Sequence, residues 1–136
     1  PILRSLAPNK INEDVVVPVP NLSKLIDELD ILSTRYKLPI VNFGHAGNGN
    51  LHVNIMFDAE DVTQNQSALD CLDKIFDKVL ELDGTLSGEH GIGISKRDYV
   101  AREIGIHELT LMRNIKAQFD PRQILNPNKS LPLCNN

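Results

Sequence analysis

The cleanest alternation in the chain runs from residue 51 to 57. Leu51, Val53, Ile55 and Phe57 take one parity, and His52, Asn54 and Met56 take the other. Strand side chains point alternately to opposite faces, so the first set predicts a core-facing row and leaves His52 and Asn54 together on the other face. Two further strands are predicted, at Glu13-Asp14-Val15-Val16-Val17-Pro18, halted by its proline, and at Ile40–Gly44. Residues 1–12 show no clear period. Helical spacing of Leu22, Leu25, Ile26, Leu29, Leu32 and Tyr36 predicts a helix over 22–37, capped by Asn21 and ended by Pro39. Thr63-x-x-Gln66 reads as a capping box opening a helix to about Leu82, with Leu69, Leu72, Ile75, Phe76 and Val79 inward and Gly84 closing it. Thr85-Leu86-Ser87 resumes an extended path. Two more helices are expected near 94–103 and 107–119, the second with Leu109, Met112, Ile115 and Phe119 on one side and Asp120-Pro121 as its stop. The order β-α-β-β-α-β followed by helices predicts an α+β fold. Its core is a ferredoxin-like antiparallel sheet with helices on one face, followed by a C-terminal helical extension.

Length and composition leave this picture standing. The 136 residues suit one domain with a real core, and 41% hydrophobic and 24% charged residues are ordinary for a globular protein. A net charge of −4, no Trp and no run of Lys or Arg argue against nucleic acid or an anionic membrane as the main partner. No apolar run reaches the length of a membrane span, and the first residues lack the pattern of a secretory signal. Cys71 and Cys134 stand alone without CxxC spacing, which predicts free thiols in a reducing compartment. The expected location is cytoplasmic, with peripheral membrane association compatible with it. The abrupt start at Pro1 and the stop after a Pro-rich turn suggest a piece of a longer protein.

Chemistry concentrates in two glycine-rich segments. Gly44-His45-Ala46-Gly47-Asn48-Gly49-Asn50-Leu51-His52-Val53-Asn54 joins two predicted strands, and Ser87-Gly88-Glu89-His90-Gly91-Ile92-Gly93 follows later. A hairpin would bring His45 and His52 to one end of the sheet, with glycines clearing space between them. Two imidazoles and the Glu89 carboxylate form the ligand set of an open divalent-metal site, and His90 beside it is a candidate base. Zinc is the first candidate for two nitrogens and one oxygen, with manganese or iron as alternatives. The bland readings are polar residues flanking a turn for the histidines and a helix-dipole role for Glu89. Asn54 is a candidate substrate contact, its bland alternative being a solvated strand residue. Lys96 is expected to be an exposed lysine at a helix start and His107 a surface residue. The familiar nucleotide and hydrolase motifs are missing.

Four segments together resemble the C-terminal domain of FAD-linked oxidases of the vanillyl-alcohol oxidase superfamily. The nearest likeness is to the branch holding the glycolate oxidase GlcD subunit, D-lactate dehydrogenase and D-2-hydroxyglutarate dehydrogenase. They are Asn12–Pro18, Gly44–Asn54, Gly88–Gly93, and Phe119-Asp120-Pro121 through Leu125-Asn126-Pro127-Asn128-Lys129. They follow the family's order and span nearly the whole chain, so residues 1–136 are expected to be the C-terminal part of the cap, or substrate, domain. The resemblance implies oxidation of a small D-2-hydroxy acid by FAD, which a separate domain of the same protein would bind. By that analogy His45, His52 and Glu89 hold the metal, His90 is the catalytic base and Asn54 touches substrate. Asn126 and Lys129 lie where the family's tail returns towards the flavin, which makes them cofactor-contact candidates.

Three departures stand out. Asn48 replaces the acid of the family's GDGN turn, which removes a charge but no expected ligand. Asn128 stands for the glycine of NPGK, and asparagine also tolerates left-handed backbone. A basic residue found near Asn12 in some members is missing there, with Lys10 as a nearby substitute. Two competing functions remain at this level, a metal-dependent hydrolase or lyase of small acids and a non-catalytic ferredoxin-like interaction module. Neither the acid oxidised nor the electron acceptor is selected by any residue.

Overall fold

Alternation and helical spacing resolve into two compact units in a computed structural model, the first ending at Glu89 and the second starting at His90. Residues 5–132 are described. Cys134, expected as a free thiol, lies outside them.

The first unit holds three strands and two long helices: β1 Asn9–Val16, α1 Leu22–Tyr36, β2 Ile40–His45, β3 Asn50–Phe57 and α2 Val62–Glu81. The sheet order is β1-β3-β2, antiparallel throughout. A single antiparallel bridge between Val16 and Thr85 is all that forms of the expected last strand. It lies on the outer side of β1, so the ferredoxin-like order survives in reduced form. β1 itself starts four residues before the predicted Glu13, because central β3 offers it partners along its whole length, from Asn9 opposite Phe57 to Val16 opposite Asn50.

Directly opposed residues share a face. Val15 pairs with Leu51 and Ile11 with Ile55, on the apolar face; Asp14 pairs with His52 and Asn12 with Asn54, on the polar one. Helix α2 packs against β1 and β3, α1 packs against β2, and the two helices pack on each other. Leu25, Leu29, Val53, Ile55, Ile75, Phe76 and Val79 are all buried in this core. Expected faces shift in detail. Leu69 is 46% exposed while Ala68 and Cys71 are buried in its place, because the inward stripe of α2 runs 68, 71, 72, 75, 76, 79. Met56 and Asn54, on the face opposite the core-facing row, are also buried. Burial pushes the Cys71 thiol up to about 11.

The helix ends differ from the sequence reading for local reasons. Asn21 precedes α1 but makes no side-chain cap; its amide donates to the Leu82 carbonyl at 3.0 Å, tying the start of α1 to the end of α2. The cap of α2 is Asp61 rather than Thr63: its carboxylate accepts from the backbone N–H groups of Thr63 and Gln64 at 2.9 and 3.1 Å. The Gln64 amide also donates to the Asp61 carboxylate at 3.1 Å, so the capping pair is Asp61 and Gln64 without the reciprocal bond of a full capping box. At the far end Asp83, not Gly84, takes the left-handed conformation, with φ 59°.

In the second unit the helix expected over 94–103 becomes a 3₁₀ turn at Arg97–Tyr99 and the single-turn α3 Val100–Glu103. The longer α4 spans Ile106–Phe119. Of its predicted apolar side only Leu109 is buried; Met112, Ile115 and Phe119 are 40%, 51% and 82% exposed. Asp120 then closes the tail, accepting from the Ile124 and Leu125 backbone and from Lys116. Asn128 has φ 59°, as the left-handed role expected of it requires. Arg97 donates to its carbonyl at 2.9 Å.

Three outcomes follow. Phe76→Ala should cost about 3–5 kcal/mol in urea unfolding, since a fully buried ring leaves a cavity. Gly49→Ala should lower the melting temperature, because Gly49 has φ 76° and an added Cβ would run into the Val17 carbonyl. Backbone N–H donation from Gln64, then its side chain, and then the Thr63 N–H hold the Asp61 carboxyl below its usual range, against a smaller opposing effect of burial. A depressed folded-state pKa stabilises above the unfolded value of about 3.9 and is lost as pH falls through the folded one. The melting-temperature advantage of wild type over Asp61→Asn should therefore shrink on acidification below about pH 4.

Candidate metal centre

β2 and β3 are joined by a 3₁₀ turn at Ala46–Asn48 and by left-handed Gly49, with φ 76°. Asn48 accepts from the Asn50 backbone N–H at 3.2 Å, which tightens the return. This hairpin pairs His45 with Asn50 and Phe43 with His52, so both histidines project from the polar face. Their ring centroids are 6.1 Å apart at 79°, and the Phe43 ring lies 5.4 Å from that of His52. The His52 side chain is only 12% exposed.

Glu89 arrives from the segment after the Val16–Thr85 bridge. Its carboxylate lies 3.3 Å from Nε2 of His52 and is 57% exposed. One ligand atom from each of His45, His52 and Glu89 falls within 4.8 Å of the others. Ligand bonds of about 2.1 Å in a tetrahedral site space neighbouring donors roughly 3.4 Å apart. The His52–Glu89 pair already meets that spacing at 3.3 Å, and no pair needs to close by more than about 1.4 Å. Two imidazole nitrogens and a carboxylate oxygen suit zinc and leave a coordination position open, so the residues fit a divalent ion.

A residue that the sequence reading did not assign a role underlies this group. Asp14, fully buried, faces Nδ1 of His52 at 4.0 Å. It accepts from Asn50 Nδ2 at 2.6 Å and from the backbone N–H groups of Gly88 and Glu89 at 2.9 and 2.6 Å. The only signal for it in the sequence is an acid inside a β-branched run, on the parity that pairs with His52. Gly88 is required by close approach: a Cβ there would collide with the Asn50 amide and crowd the Asp14 carboxylate. Asn50 Oδ1 and Ser87 Oγ are buried without hydrogen-bond partners, so polarity at this spot exceeds what the fold itself satisfies.

The other expected site residues are placed as follows. Asn54 lies two residues along β3 from His52 on the same face and is fully buried. Its Oδ1 accepts from Lys10 and Asn12 at 2.9 and 2.8 Å, and its amide donates to the Val41 carbonyl at 3.1 Å. It is not a solvated strand residue. Lys10 sits on the same face as Asn12, one pleat away. His90 opens the second unit and is exposed. Asn126 and Lys129 meet at 3.2 Å between side chains and border a shallow depression with Met112, Lys116 and Leu125. Lys96 is 3% exposed rather than the exposed lysine expected, whereas His107 is at the surface.

Similarity to known proteins joins this geometry. The chain is 36% identical over 127 residues to the glycolate oxidase subunit GlcD of Bacillus subtilis (strain 168), covering 93% of this chain and 27% of that one. It is 38% identical over 122 residues to the probable mitochondrial D-lactate dehydrogenase of Danio rerio, covering 88% and 24%. It is 40% identical over 116 residues to the mitochondrial D-lactate dehydrogenase [cytochrome] 1 of Saccharomyces cerevisiae, covering 85% and 19%. The chain thus spans about a fifth to a quarter of the length of these relatives. Residues 2–130 match the family described as FAD linked oxidases, C-terminal domain. With that match over nearly all its length, the chain belongs to the C-terminal domain family of the FAD-linked oxidases.

Proposed function

We propose that this chain is the substrate-side part of a flavin-dependent dehydrogenase or oxidase of a small D-2-hydroxy acid, of the glycolate or D-lactate type. The convergence of His45, His52 and Glu89 on one point of the sheet's polar face carries the reading. The names of the relatives support oxidoreductase chemistry over hydrolysis, lyase chemistry or a purely binding role. FAD would be bound mainly by another domain of the same protein.

Oxidising a 2-hydroxy acid removes the hydroxyl proton and a hydride from the α-carbon. FAD and a divalent ion, with zinc as the first candidate, would supply the hydride acceptor and a Lewis acid that lowers the hydroxyl pKa. His45, His52 and Glu89 would hold the ion. His90, next in sequence to Glu89, would take the hydroxyl proton on an imidazole nitrogen; histidine is the side chain most often used as a general base. Asn54 would position substrate through the one amide hydrogen not donated to the Val41 carbonyl, its own carbonyl oxygen being held by Lys10 and Asn12. Asn126 and Lys129 would contact the flavin.

Among the described residues no helix is long and apolar enough to cross a membrane. The buried free thiol of Cys71 agrees with a reducing compartment, and the reading keeps the cytoplasmic expectation, with peripheral membrane association compatible with it.

The test is a metal analysis paired with stopped-flow flavin reduction on the protein in its full natural length. His45→Ala and His52→Ala should bring bound metal to background. His90→Ala should retain metal yet slow flavin reduction by glycolate or D-lactate about 10²–10⁴-fold. Rapid reduction by the His90 variant would remove the base assignment, and undiminished metal in both other variants would remove the ligand set.

A further inference from the structure

We propose that Asp14 is a positioning residue that assembles the metal centre before any ion arrives. The inference rests on the metal-site reading above and adds to it the residue that builds the site. Two ligands come from the strands of one hairpin, and the third from a turn more than thirty residues later. Something must hold that turn against the hairpin, and the hydrogen bonds of Asp14 do so.

One carboxylate oxygen takes both backbone N–H groups at the Gly88–Glu89 turn, at 2.9 and 2.6 Å, while the Asp14 carbonyl takes a further bond from the Gly88 N–H at 3.3 Å. The other oxygen takes the Asn50 amide at 2.6 Å, and Asn50 is the β3 residue paired with His45. That same oxygen lies 4.0 Å from Nδ1 of His52. Each partner therefore belongs to a ligand, to its neighbour, or to the residue opposite it.

Burial makes a merely decorative role costly. Removing an ionised carboxylate from water costs several kcal/mol unless charge-assisted hydrogen bonds offset it. Asp14 is fully buried in a β-branched run where valine would serve the sheet as well. The His52 ring presents Nδ1 towards Asp14 and Nε2 towards Glu89. With that carboxylate behind the ring, Nε2 is the nitrogen that faces Glu89 and the ion position. Asp14 thus sets the backbone position of one ligand and stands behind the ring of another.

The test uses zinc titration by calorimetry and site-resolved amide exchange on the protein in its full natural length. In metal-free wild type, the Gly88 and Glu89 amides should be protected from exchange; unstructured-chain rates there would overturn the proposal without need of any variant. Asp14→Asn should bind zinc about 10–100-fold more weakly. Its loss should be less than additive with that of Glu89→Gln, since one acts through the other. Wild-type affinity in Asp14→Asn, or fully additive losses, would overturn this inference and leave the metal site intact. A wild type that takes up no zinc would instead overturn the metal-site reading and this inference with it.

Discussion

Everything at this site depends on the pairing register of β3 with its two neighbours. Because side chains alternate along each strand, one choice of partners decides which residues share a face. With Asp14 opposite His52, and Phe43 opposite His52 on the other side, the apolar row of Val15, Leu51, Val53 and Ile55 enters the core. The same choice gathers His45, His52, Asn54, Asn50 and Asp14 on the polar face. A slip of one residue in either pairing would turn His52 away from the residues that surround it. Core packing and the gathering of the candidate ligands are thus enforced by one constraint, and the helices that bury the apolar face hold that register.

A second level of order lies above the sheet. The Glu89 turn has no regular secondary structure, and loops of that kind are where backbone amides most need partners. Here the partners are supplied by a buried acid on the neighbouring strand, so hydrogen bonding positions the loop beyond the anchor of buried Leu86. That suits a ligand-bearing loop, which must be held closely while its own carboxylate stays accessible.

Much of this was legible in the sequence because it follows from short-range periodicity. The alternation at 51–57 and the glycine-rich turn before it define the hairpin, and the hairpin brings His45 and His52 together. The helical stripes of α1 and α2 follow in the same way. What was not legible depends on long-range partners. For Asn54 the sequence leaves a substrate contact and a solvated strand residue both open, because alternation does not show whether the polar face of a middle strand is buried. Asp14 was one acid among many until its pairing with His52 and its bonds to residues more than seventy positions away were seen. The start of β1 was hidden since residues 9–12 carry no apolar period and become a strand only through pairing with β3. The capping error at α2 was more local: both Asp61-x-x-Gln64 and Thr63-x-x-Gln66 fit the motif, and the aspartate, the stronger acceptor, takes the cap.

The central claim is that two imidazoles and one carboxylate meet around a single ion. X-ray absorption at the zinc edge of the full-length, metal-loaded protein tests it most directly. The account predicts an inner shell at about 2.0–2.1 Å with the outer-shell scattering of two imidazoles and no sulfur. A shell made of sulfur, or of oxygen alone without imidazole scattering, would contradict it.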